Sequence, residues 1–197
     1  MEYLVRDNGT VIVTGSIDLT GTKLPELPRF GMRMELHQPY ENLTYYGRGP
    51  FENYIDRYSG AFIGRYEDKV ENQFYWYIRP QETGNKTDVR WLTLLDSGGL
   101  GVKITGLQPI SFSALHFSPE DLDPGLTRKL QHTIDIVPQK NIFLHVDLKQ
   151  RGLGGDNSWG MYPHNEYRLL DKKYTYSYMI ELVEKGSDKN DYLNSRK

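Results

Sequence analysis

Apolar side chains in this chain recur at every second position. In the segment 32–37, Met32, Met34 and Leu36 share one side while Arg33, Glu35 and His37 share the other. That is the signature of a strand with one buried face. The segment 101–106 repeats it with Val102 and Ile104, and 142–148 places Ile142, Leu144, Val146 and Leu148 opposite Phe143, His145 and Asp147. TVIVT at 10–14 alternates weakly, and YTYSYMIELV at 174–183 reads as a long aromatic strand. FYWYI at 74–78 and WLTLL at 91–95 are unbroken apolar runs, the pattern of strands buried on both faces. Asn8-Gly9, Gly84-Asn85 and Ser97-Gly98-Gly99 separate these runs as turns. One stretch reads as a helix: Ser118 caps it, Pro119 takes its first position, Glu120 and Asp121 fill the first turn, and Pro124-Gly125 stops it early. Many short strands with turns between them predict an all-β sandwich or barrel.

The 197 residues suffice for one large domain, and 38% hydrophobic with 13% aromatic content argues against disorder as the overall state. A net charge of −2 creates no field that would gather nucleic acid. The absence of cysteine excludes disulfides, thiol nucleophiles and thiolate metal sites. No apolar run approaches the roughly 18 residues of a membrane helix, and the N-terminal MEYLVRDNGT has no signal-peptide core. Residues 1–184 read as one domain and 185–197 as a polar, disordered tail.

Three loops hold more chemistry than a connection needs. In 47–57, Gly47, Gly49 and Pro50 imply an unusual backbone path, and Arg48, Glu52, Asn53, Asp56 and Arg57 follow. They either pin a corner by ion pairs or face a ligand. In 79–91, Glu82 and Asp88 have Arg79, Lys86 and Arg90 as neighbouring cations. In 147–160, a Gly-Gly turn presents Asp156, Asn157, Ser158 and Trp159. A tryptophan there either plugs the loop or offers its flat face to a pyranose, with Asp156, Asn157 and Ser158 bonding hydroxyls.

No catalytic constellation stands out. Glycoside hydrolysis needs two carboxylates about 5–10 Å apart; Glu52, Asp56, Glu82 and Asp156 are present, but no spacing singles out a pair. Nucleophile elbow, phosphate loop and zinc-helix motifs are missing, and His37, His116, His132, His145 and His164 are scattered without ligand spacing.

The same three loops, GRGPFENYIDR, RPQETGNKTDVRW and RGLGGDNSWG, resemble in order the signature segments of the C-terminal, small-chain domain of glycoside hydrolase family 2 β-galactosidases. The match covers about Leu27 to Val183. The resemblance implies a galactose mutarotase-like antiparallel supersandwich, incomplete here on its N-terminal side, with an exposed edge and self-association through it as consequences. It implies a module without hydrolytic residues, because the family's glutamates lie in a separate barrel. The isolated chain is then inactive within a retaining β-galactosidase that acts on lactose and related β-galactosides. Its partners would be the remaining domains and the substrate, with Trp159 lining the aglycone side. Family members often use magnesium or sodium, but no residue here is assigned to either. The bacterial compartment, cytoplasm or periplasm, stays open. Two other readings share the fold or the surface. A mutarotase would pair His116 or His145 with Glu82 as acid and base. A carbohydrate-binding module would need an aromatic platform, for which Trp76 and Trp91 sit too deep in apolar runs.

Overall fold

The computed structural model describes residues 1–123, 125, 131–157 and 159–184. Its strands are β1 (Glu2–Val5), β2 (Val11–Asp18), β3 (Arg29–Leu36), β4 (Asn42–Gly49), β5 (Phe62–Lys69), β6 (Lys86–Leu95), β7 (Gly101–Leu115), β8 (Ile142–Gln150) and β9 (Lys173–Val183). All pairings are antiparallel, in the order β1-β2-β9-β7-β6-β4-β5, and β8 joins β7 to β3. The helix α1 (Pro119–Leu122) starts as its sequence dictates. Ser118 Oγ accepts from the Asp121 amide at 3.1 Å, and Asp121 Oδ2 accepts from the Ser118 amide at 2.7 Å.

The 15-residue β7 makes this a sandwich. Its first half, Gly101–Gly106, pairs with β9, and its second half, Ser111–Leu115, pairs with β8. Between them the register against β6 breaks, with Trp91 opposite Thr105 but Val89 opposite Ile110. Gly106 and Pro109 mark the break: a Cβ on Gly106 would lie 2.3 Å from the Gln108 carbonyl oxygen, and proline is tolerated in strands chiefly at such irregularities. Gln108 takes over the ladder that β7 abandons. Its side chain accepts from the Ser177 amide and donates to the Ser177 carbonyl, both at 3.1 Å.

The bend folds β8 and β3 over β9. Phe30 of β3 lies 5.7 and 5.6 Å from the Tyr174 and Tyr176 rings of β9, and the Tyr176 hydroxyl donates to the Val146 carbonyl of β8 at 2.9 Å. Met32, Met34 and Leu36 pack on a core that includes Ile142, Leu144, Val146, Leu92, Leu94, Ile104 and Tyr178. These are the faces that the alternation assigns to the interior. The sheet is open: β1, β3 and β5 are its terminal strands, and all four residues of β1 are exposed.

One expectation fails. The sequence reads 74–78 as a buried strand, yet no strand forms there and Trp76 and Ile78 are 63% and 90% exposed. The Tyr75 amide donates to Thr83 Oγ1 at 3.2 Å, a side-chain acceptor in place of a ladder carbonyl. Only Phe74 stays buried, its ring 4.4 Å from that of Phe117. Trp76 is therefore not core. Trp91 is half-buried in β6 and stacked on Tyr46. The tail 185–197 lies outside the described residues.

Candidate functional site

The three sequence segments meet at one end of the sandwich. Glu52 is the hub of the first two. It is 6% exposed and accepts from the Gly84 amide at 2.8 Å, the Thr83 hydroxyl at 3.0 Å, Arg57 Nη2 at 2.6 Å and the Tyr77 hydroxyl. Asn53, fully buried, uses its Oδ1 to accept from the Thr87 amide at 2.9 Å and the Thr87 hydroxyl at 2.5 Å. Its Nδ2 donates to the carbonyls of Arg48 and Phe51, both at 3.1 Å. Asn85 reciprocates backbone to backbone and side chain to backbone with Asn53, each at 2.8 Å. A Cβ on Gly47 would lie 2.6 Å from Val89 Cγ2 and 2.8 Å from Val89 Cα, so only glycine lets β4 approach β6 this closely.

The partners of these charges come from farther away than the sequence suggests. Asp88 bonds Arg48 Nε at 2.5 Å, while Lys86 Nζ is buried and donates to Gln73 Oε1 at 3.0 Å and the Gly84 carbonyl at 3.2 Å. Burial depresses the Lys86 amine to about 8. Glu82 pairs with Arg29 at 3.3 Å and not with Arg79 or Lys86.

Arg29 organises a second cluster. It bonds Gln150 Oε1 at 2.6 Å, lies 3.1 Å from Asp147 Oδ2 and donates from Nη1 to His145 Nδ1 at 3.0 Å. With Nδ1 accepting, the His145 proton resides on Nε2. Burial first, and then the positive charges of Arg29 and Arg33, hold His145 down at about 4, so its ring is neutral. Asp147 is 1% exposed, and burial raises its carboxyl to about 7 against the pull of Arg29, with Glu82 adding to the rise. Burial likewise raises Glu82.

Asp147 therefore binds its proton more tightly when folded than its ordinary 3.8 when unfolded. Stability tied to this group is full below about pH 4, falls as pH rises towards 7, and is constant above that. Urea unfolding at pH 4.5 and 7.5 should show wild type losing on the order of 2–4 kcal/mol relative to Asp147→Asn across that interval. Parallel losses in both proteins would refute the assignment.

The third segment joins through Asp56, whose Oδ2 accepts from the Gly154 amide at 2.7 Å. A Cβ on Gly152 would lie 2.7 Å from Asp56 Cγ, and one on Gly155 2.3 Å from the Met161 carbonyl oxygen, so the turn needs its glycines. From it Trp159 projects 91% exposed and does not fold back as a plug. Asn157 Oδ1 accepts from the Trp159 amide at 2.8 Å, and Asp156 bonds His164 Nε2 at 2.7 Å. The structure thus spends Asn157 on the turn and Asp156 on a neighbour. Ser158 lies outside the described residues. Downstream, Glu26 holds Arg151 at 3.1 Å and Arg168 at 2.6 Å, and both guanidinium groups lie over Tyr162.

Sequence reasoning missed Arg29, Gln73, Tyr77 and Glu26. Arg29, Tyr77 and Glu26 act on residues 20 or more positions away and Gln73 on Lys86 13 positions on, so no local spacing marks them. Exposed apolar side chains lie on these segments and beside them: Phe51, Leu153 and Trp159 on the loops, and Trp76, Ile78 and Tyr162 on the flanking chain. Among the described residues no three His, Asp or Glu side chains could hold a metal ion.

Residues 1–180 match the family described as β-galactosidase small chain. The chain is 36% identical over 180 residues to a β-galactosidase of Priestia megaterium, covering 91% of this chain and 17% of that protein. It is 36% identical over 181 residues to a β-galactosidase of Streptococcus thermophilus, with 91% and 17% covered. A third, from Staphylococcus xylosus, is 31% identical over 179 residues, with 91% and 17% covered. The chain therefore spans about a sixth of the length of these curated relatives.

Proposed function

The chain belongs to the β-galactosidase small-chain family, and from that premise we propose that it is the non-catalytic C-terminal domain of a β-galactosidase, supporting the catalytic domain and lining the aglycone side of a β-galactoside site with Trp159. The exposure of Trp159, at 91% on a loop anchored through Gly154 to Asp56, is the observation that carries this reading. An indole left in water on a tied-down loop has no role in this domain's own packing. Its flat face suits the apolar side of a sugar ring. The apolar residues around it support a contact with the rest of the enzyme, and the open strands β1 and β5 support edge pairing with upstream chain or with a second copy.

In the whole enzyme carrying this domain, Trp159→Ala should raise KM for lactose about three- to tenfold, the scale of one aromatic contact. The isolated domain should unfold as before, since Trp159 is outside its core. Unchanged affinity for lactose would end the aglycone role.

A further inference from the structure

A separate cleft of about 440 Å³ opens between the outer face of β7 and β8, the segment 79–82 and helix α1. Phe143, Leu115 and Phe117 give it apolar surface, and Ser113, His145 and Glu82 are set among them. Ser113 is 2% exposed, lines the cleft, and its hydroxyl bonds no described residue. Nδ1 of His145 is taken by Arg29, which leaves the Nε2–H donor without a partner among the described residues. Arg79 at the rim has no ion pair among the described residues, and Glu82 lines the cleft while bonding Arg29 and Gln150.

We propose that this cleft binds one neutral pyranose, distinct from the Trp159 loop. The volume lies within the range of small-ligand sites, about 300–1,000 Å³. A sugar ring matches the combination found here: apolar faces against Phe143 and Leu115, and hydroxyls that both give and accept at Ser113, His145, Arg79 and Glu82. An anion fits less well, because the lining carries two carboxylates, Glu82 and Asp123, and one guanidinium, Arg79. This inference stands apart from the proposed role of Trp159 and does not depend on it.

The test is a titration of the ¹⁵N-labelled chain with galactose and with glucose, followed by amide shifts. Saturable shifts at 79–82, 113–117 and 143–145 are expected, weakened about three- to tenfold by Ser113→Ala and by Arg79→Ala. Both substitutions are small or exposed, and unchanged dispersion of the remaining amides certifies the fold. Absence of saturable shifts overturns the proposal. Shifts confined to 156–160 overturn it as well, while leaving the Trp159 reading intact. Tighter binding of galacturonate than of galactose would overturn the neutral-ligand assignment.

Discussion

Glu52→Ala should destabilise the domain by about 3–5 kcal/mol, the scale for breaking a buried charged network by removing one partner. The substitution strips the acceptor from the Gly84 amide, the Thr83 hydroxyl and the Tyr77 hydroxyl together. Thr83 and Gly84 are themselves buried, so water cannot replace the carboxylate without opening the corner. Arg57 contributes little to the loss, because its side chain is 55% exposed and keeps its solvation. Glu52→Gln should recover less than half, since its amide turns a donor towards groups that are already donors. Urea unfolding gives the magnitude, and hydrogen exchange at the Gly84 amide gives the location. A cost below about 1 kcal/mol for the alanine variant would show that the corner does not depend on this carboxylate.

Asn53 supplies the second large effect and a sharper ranking. Alanine removes four hydrogen bonds from a fully buried position and should cost about 3 kcal/mol. Aspartate keeps the shape and the acceptor for Thr87, yet places a carboxylate oxygen against the carbonyls of Arg48 and Phe51. It should cost at least as much as alanine, because a buried charge then faces two acceptors. An aspartate variant milder than alanine, measured by urea unfolding at neutral pH, would overturn the donor assignment of this side chain. Together the two substitutions separate the carboxylate's role from the amide's. Glu52 ties the 47–57 segment to the turn at 83–84, and Asn53 ties it to the start of β6.

The alternation of apolar residues in β3, β7, β8 and β9 needed no structure to be read, because a strand's period of two is a local property of the backbone. The cap of α1 was equally plain, since Ser118 and Asp121 satisfy each other within four residues. The three loop segments were visible as clusters of glycine and charge, and as a resemblance that the family match bears out. What the chain could not disclose locally was which charge meets which. Glu82 finds Arg29 from 53 residues away, and Gly154 finds Asp56 from 98. The aromatic run at 74–78 failed as a strand for the same reason: a strand exists only where a neighbour supplies its ladder. Only tertiary structure decided that Glu52 and Asn53 face inward as ties, that Trp159 faces water, and that Ser113, His145 and Glu82 share a cleft. Pairing partners and solvent access are set by which segments the bend in β7 brings together, and that bend acts across the whole length of the chain.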